Sequence, residues 1–204
     1  MKKMYRYFFS LLCSFILVFQ GSAQEGRIKG IRIGYDLSKL ALLYFEPERK
    51  AFEISADFEV KQNFYAVAEY GQQTVDISYP EYTYTSEGYY ARIGMDYNFS
   101  KKRMDVDRYE MVFGGFRYGY ANYSHTTTEI ILPENYWGAE AFGDLPEADM
   151  TAQWVEVVAG IRGELFKNFF IGWSFRGRIM IWQHKDELMY AYKIPGFGKG
   201  DKKA

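Results

Sequence analysis

Phe52-Glu53-Ile54-Ser55-Ala56-Asp57-Phe58-Glu59-Val60 alternates apolar and polar residues without a break. Successive side chains of an extended strand point to opposite faces, so this stretch has one wholly apolar and one wholly polar face. A helix would scatter the same residues around its circumference. The pattern recurs along the chain. Ile31, Ile33, Tyr35 and Leu37 alternate with Arg32, Gly34, Asp36 and Ser38. Tyr89, Ala91, Ile93, Met95, Tyr97 and Phe99 oppose Tyr90, Arg92, Gly94, Asp96 and Asn98. Val155, Val157, Ala159, Ile161 and Leu165 oppose Glu156, Gly160, Arg162 and Glu164, while Ile171, Trp173, Phe175, Ile179 and Ile181 oppose Gly172, Ser174, Arg176 and Arg178. With weaker copies at 64 to 76 and 108 to 121, seven strands precede residue 182, and 187 to 194 supplies a short eighth that stops at Pro195-Gly196.

Composition limits what such strands can build. The 204 residues carry 25 basic and 26 acidic side chains, a balance that argues against a nucleic-acid partner. Lys2, Lys3 and Arg6, the apolar stretch from Phe8 to Phe19 and the small residues Gly21-Ser22-Ala23 read as a signal peptide over 1 to 23. Residues 24 to 204 then form one mildly acidic exported domain. The single cysteine, Cys13, lies inside the leader, so disulfides and cysteine chemistry are excluded from the mature chain. A lipoprotein reading of Cys13 is disfavoured by Leu12, where a small residue is expected. Tyr, Phe and Trp number 19, 17 and 4, a load that suits strands. No later apolar run approaches the roughly 20 residues of a membrane-spanning helix.

Two-faced strands fit either a soluble sheet packed on a core or a lipid-facing barrel with a polar lumen. Three features favour the second. Arg, Glu and Gly share the polar face. Aromatics gather at strand ends, with Phe64, Tyr65, Tyr97, Phe99, Tyr109, Phe166, Phe169 and Phe170 on one side and Tyr44, Phe45, Tyr89, Tyr90, Tyr118, Tyr120, Trp154 and Trp182 on the other. Connectors alternate between long (77 to 88, 122 to 150, 182 onward) and tight (61 to 63, 167 to 168), with 46 to 51 and 100 to 107 as exceptions.

The expected fold is therefore all-β: an antiparallel up-and-down transmembrane β-barrel of about eight strands in the bacterial outer membrane of a Gram-negative cell envelope. An interior that narrow is filled by side chains rather than by a channel. Its charges must be paired, which predicts a lumen network of Arg32, Glu53, Asp57, Glu69, Arg92, Asp96, Arg117, Glu156, Arg162, Glu164, Arg176 and Arg178, with Glu156 opposite Arg178 across the Lys167-Asn168 turn.

The segments Gly30-Ile31-Arg32-Ile33-Gly34-Tyr35-Asp36, Gly114-Gly115-Phe116-Arg117-Tyr118-Gly119 and Tyr192-Lys193-Ile194-Pro195-Gly196-Phe197-Gly198 give a further pointer. Over nearly the whole mature chain the sequence resembles small outer-membrane barrel proteins of Bacteroidota, and among them an uncharacterised family described as a domain of unknown function, DUF6048. These motifs carry strand and turn geometry, so the resemblance transfers no catalytic residue. It implies a last strand ending in an aromatic residue, whereas this sequence ends Gly200-Asp201-Lys202-Lys203-Ala204. Either 187 to 194 closes the barrel or the chain is truncated, and truncation is favoured because seven strands leave an edge unpaired.

Chemistry is sparse. With only His125 and His184, a histidine metal site is disfavoured and no cofactor is expected. Ser124-His125 beside Glu129, Glu134 and Asp144 in the presumed 122 to 150 loop allows, as an alternative, a hydrolase or acyltransferase acting on lipid or lipopolysaccharide. Adjacent residues on an extended segment nevertheless point apart. Gly196-Phe197-Gly198-Lys199-Gly200 lacks the strand and helix of a phosphate loop. The Asn98-Phe99-Ser100 and Asn122-Tyr123-Ser124 matches to a glycosylation pattern are incidental. Ser100-Lys101-Lys102-Arg103 reads as a solvated turn. Tyr79, Tyr82, Tyr84, Tyr136 and Trp137 are candidate external contact aromatics. The functional expectation is a non-enzymatic structural or assembly component of the outer membrane. Its partners would be lipid, lipopolysaccharide and a periplasmic lipoprotein or larger outer-membrane complex. A soluble periplasmic ligand-binding barrel is the remaining alternative.

Overall fold

A computed structural model describes residues 30–80, 82–100, 110–128, 145–184 and 193–199. The leader, Cys13, Tyr109, Glu129, Glu134, Tyr136, Trp137, Asp144 and 187 to 192 lie outside the described residues. Seven strands follow in chain order: β1 (Arg32–Tyr35), β2 (Arg49–Lys61), β3 (Phe64–Tyr79), β4 (Tyr82–Asn98), β5 (Glu110–Thr128), β6 (Leu145–Phe166) and β7 (Phe169–Gln183). Each pairs antiparallel with the next, giving one sheet in the order β1-β2-β3-β4-β5-β6-β7. Tight turns at Asn63 and Asn168, both with φ near +65° (66° and 65°), link β2 to β3 and β6 to β7. Asparagine tolerates this left-handed conformation better than most residues.

The sheet is open. Its order begins at β1 and ends at β7, and no pairing among the described residues joins those two edges. Residues Lys193–Ile194 (β8) pair with Gly198–Lys199 (β9) in a separate two-stranded hairpin rather than extending β7. The closed eight-stranded barrel expected from the sequence is therefore overturned, and with it the transmembrane-strand and outer-membrane assignments that rested on closure. A bilayer core offers no water to hydrogen-bond an open edge, so this open sheet is not a transmembrane barrel. No helix among the described residues is long and apolar enough to cross a membrane.

Three local expectations are also corrected. Leu37–Phe45 forms a helix, α1, instead of prolonging β1. Asp36 caps it, its Oδ1 accepting the Ser38 N–H at 2.9 Å. β3 and β4 pair out to Tyr79 opposite Tyr82, so 77 to 88 is a hairpin and not a long loop. β5 runs to Thr128 and β6 starts at Leu145, which removes both ends of the presumed 122 to 150 loop.

Burial follows the alternation in an inverted sense. On β4, Tyr84, Ser86, Tyr90, Arg92, Asp96 and Asn98 are buried on the inner face, while Tyr89, Ile93, Met95 and Tyr97 are exposed on the outer one. Inner side chains stack in tiers along the strands. Tyr65, Met111, Phe113 and Val158 form one apolar cluster. Tyr90, Ala121, Tyr123, Met150, Ala152, Trp154 and Ile194 form another, with Met180 and Phe197 packed on it. Glu53, Glu69, Arg92 and Glu156 occupy the tier between, while Arg32 and Arg162 lie beside the first cluster, over the Tyr65 and Phe113 rings.

Strand parity also corrects the two aromatic rows. Tyr65, Tyr90 and Trp154 are buried on the inner face, whereas Phe64, Tyr97, Phe99, Tyr89, Tyr118, Tyr120 and Trp182 are exposed.

Candidate functional site

The inner charged tier is built by register. Antiparallel pairing sets Glu69 opposite Arg92, Asp96 opposite Gly115, Arg117 opposite Glu156 and Glu156 opposite Arg178. Glycine at 115 is required by that pairing: a Cβ there would lie 2.1 Å from Asp96 Oδ1 and 2.3 Å from the Met95 carbonyl oxygen. Gly71 and Gly119 make equivalent room for Tyr90 and Trp154, whose side chains would meet a Cβ at 2.4 and 2.2 Å.

Arg92 is the centre. Its guanidinium pairs with Glu53, with Glu69 at 2.7 Å and with Glu156 at 3.2 Å, joining acids from β2, β3 and β6. Arg117 grips Asp96 in a two-pronged bond, 2.8 Å on each side. Such fork geometry is the stronger form of the arginine–carboxylate pair. From the edge strand, Arg176 reaches Glu69 at 2.6 Å and Glu156 at 3.5 Å. Arg178 donates through Nε to Glu156 at 3.1 Å and through Nη1 to the Phe197 carbonyl at 2.9 Å. Trp154 Nε1 donates to Glu156 at 2.7 Å, and the Tyr90 hydroxyl to Glu53 at 2.6 Å.

A second group lies nearer the Asn63 and Asn168 turns. Asp57 holds Arg32 of β1 and accepts from Arg162 of β6 at 2.8 Å. Arg162 and Asp57 belong to strands with three others between them, so the sheet bends around its polar face to bring them together without joining its edges. Arg32 also lies 4.5 Å from the Tyr65 ring centroid, a cation–π contact.

Electrostatics matches the geometry. Burial opposes ionisation of Glu69, but Arg92, Arg176 and Arg117 outweigh it and hold the carboxyl down to about 2. Glu156 is lowered in the same manner, with burial opposed by Arg92, the Trp154 hydrogen bond, Arg178 and Arg176. Burial, reinforced by Glu53, raises the Tyr90 phenol. Burial lowers Lys39, which lies 3.6 Å from Glu53. All of these cations and carboxylates are committed to one another, which favours cohesion over ligand exchange.

Eleven of the twelve residues named for the polar network lie in these two groups. The twelfth, Glu164, accepts the Asn168 backbone N–H at 2.8 Å at the β6–β7 turn. Of the external aromatics, Tyr79 and Tyr82 contact each other at the β3–β4 tip, ring centroids 5.2 Å apart. Tyr84 is buried beside His125, 6.0 Å between ring centroids, and is no external contact. Ser124 and His125 occupy opposite faces of β5: His125 is buried opposite Ser86, and Ser124 faces the other way between Glu87 and Asp149. The structure does not bring the pair together. No group of three metal-binding side chains occurs among the described residues.

Sequence reading missed the C-terminal hairpin as a structural part of this site. Ile194 is fully buried, Gly196 adopts φ +75° against the Tyr90 ring, and Phe197 packs edge-on to Trp154 at 5.8 Å. Lys193 ties the hairpin to Glu46 at 2.6 Å. The signal available was Pro195-Gly196-Phe197-Gly198, a turn carrying one large aromatic.

No curated protein and no solved structure matches the chain. A family model described as Domain of unknown function (DUF6048) matches residues 4–204. That description carries no fold and no outer-membrane assignment, so the barrel character attached to the resemblance is not sustained by it. With the match spanning almost every residue, the chain belongs to the DUF6048 family.

Proposed function

We propose that the protein is a non-catalytic assembly module whose apolar sheet face is covered by another polypeptide in its working state. One observation carries this reading: the outer face of the sheet leaves a run of large apolar residues exposed. Ile93, Phe116, Trp173 and Phe175 are 62, 69, 70 and 74% exposed on the outer face. Exposed apolar patches of that kind mark interaction surfaces. The inner face, by contrast, spends its arginines and carboxylates on each other.

A photo-crosslinking residue at Phe175 or Ile93, introduced in the living cell, tests the proposal. A discrete polypeptide adduct, absent when the probe replaces Lys167 at the β6–β7 turn, is the expected result. Adducts no different from that control would defeat it. Lipid adducts without a polypeptide would likewise defeat it.

A further inference from the structure

We infer that the inner face holds a recognition site for a turn of the form apolar-Pro-Gly-aromatic, filled here by the chain's own Ile194-Pro195-Gly196-Phe197 and open to the same turn from a second copy. The inference is independent of what covers the outer face.

The turn is seated as a ligand is, by its side chains and its ends. Ile194 is fully buried in the cluster around Tyr90 and Trp154, and Pro195 and Gly196 are buried with it. Gly196 lies against the Tyr90 ring: a Cβ there would come within 2.5 Å of it, and the φ of +75° disfavours any side chain as well. Phe197 meets Trp154 edge-on at 5.8 Å, and its carbonyl accepts from Arg178 Nη1 at 2.9 Å. On the other side Lys193 reaches Glu46, between α1 and β2, at 2.6 Å. Each position is thus read separately: a branched apolar residue, a glycine that nothing larger replaces, an aromatic ring and a flanking cation.

The same features make the occupant exchangeable. The hairpin is paired within itself, Lys193 with Lys199 and Ile194 with Gly198, and the Phe197 N–H donates to the Ile194 carbonyl at 3.2 Å. The turn therefore brings its shape with it. The walls of the site belong to β4, β5, β6 and β7, each paired to its neighbour, and no pairing among the described residues joins the hairpin to that sheet. The covalent link between sheet and hairpin is the single stretch 185–192. An element that is self-paired and docked through side chains makes the same contacts in its own chain and in another copy, which is the condition for exchange between protomers. A second copy is the partner that the chemistry names, because it carries the same turn with the same flanking lysine.

A labelled peptide of residues 193–199 tests the site on full-length chains by fluorescence anisotropy. Gly196→Val unseats the chain's own turn and leaves the walls of the site unchanged. That variant is expected to bind the peptide at least about tenfold more tightly than the unmodified chain, in which the site is free only in the fraction of molecules whose hairpin is out. The same peptide with alanine in place of its central glycine should bind neither chain. If Gly196→Val loses the sheet signal in circular dichroism, Phe197→Ala replaces it, removing the ring and keeping the glycine. Exchange is read with the native turn, in full-length Glu46→Cys and Lys193→Cys variants that also carry Cys13→Ser, since Cys13 is the only cysteine. Mixed and treated with a short bismaleimide, they should give a covalent dimer that neither gives alone, its yield rising with protein concentration. No peptide binding by the unseated chain, equal binding of the alanine peptide, or crosslinking confined to a single chain that carries both cysteines would overturn the inference.

Discussion

Arg162 on β6 donates to Asp57 on β2 at 2.8 Å, although 105 residues and three strands separate them. Asp57 also holds Arg32 on the first strand. One carboxylate thus ties β1, β2 and β6 together on the sheet's inner face. Asp57→Asn should leave both arginines short of charge, and the cost should fall where three elements lose a common tie. A loss of about 3 kcal/mol in urea unfolding is expected. A change under about 0.5 kcal/mol, the size of an ordinary surface substitution, would refute the role.

Arg92 is a sharper case because it is almost wholly buried and touches three acids. Arg92→Met keeps the bulk but leaves Glu53, Glu69 and Glu156 facing one another. We expect a loss of about 3–5 kcal/mol, as for breaking a buried pair from one side. The double variant Arg92→Met with Glu69→Gln should recover part of it, because one uncompensated charge is removed. An additive double variant would show that the two residues are not coupled.

The Glu69 carboxyl lies at about 2 in the folded chain against an ordinary 4.5. Because the folded value is the lower one, its stabilisation is complete above pH 4.5 and disappears as pH falls toward 2. Glu156, also lowered, adds to the same trend. Denaturation midpoints measured from pH 6 to pH 2 should therefore fall with acid, and Glu69→Gln should flatten the slope. A slope identical in the variant would contradict the assignment.

Gly119 sits where a Cβ would meet the Trp154 ring at 2.2 Å. Gly119→Ala should cost about 1–3 kcal/mol by overpacking. The tryptophan fluorescence maximum should shift at the same time, because Trp154 leaves a dry site. Gly177→Ala is the control: no atom lies within 4 Å of the added carbon, so little change is expected. Equal effects of the two variants would remove the packing explanation.

Ile194→Ala empties a fully buried position between the hairpin and the sheet. The expected cost is about 2–5 kcal/mol if the site does not collapse. Limited proteolysis should then cut near Pro195 to Gly198 before the sheet is attacked. Protection equal to the unmodified chain would mean that the hairpin contributes nothing to the cluster around Tyr90 and Trp154.

Much of this arrangement is legible from residue parity. Once Glu53 and Asp57 share a face, Glu69, Arg92, Arg117, Glu156 and Arg176 fall on the same side of their own strands. The partners of each charge then follow from register. Parity applied strictly also places Tyr84, Tyr90 and Trp154 inside; grouping aromatics by position along the strand hides this. Helix α1 is harder, because Ile33, Tyr35 and Leu37 continue the alternation into it. The signals for it are Asp36 as a cap and the spacing of Leu37, Leu40, Ala41 and Tyr44. Closure was not legible at all. Alternation reports which way a side chain points and is silent about what pairs with the outermost strand, a long-range matter that no local window contains.

The hairpin that seats on Tyr90 also sets a timetable for synthesis. Lys193 meets Glu46 across 147 residues of chain, and Ile194 enters a cluster whose other walls come from β4, β5 and β6. As the ribosome releases the strands in order, each can pair with its predecessor at once, since every sheet connection is between neighbours in sequence. The cluster around Tyr90 and Trp154 cannot be capped until residue 197 has emerged. Until then Tyr90 and Trp154 lack their cover, and the sheet carries exposed apolar surface on both of its faces.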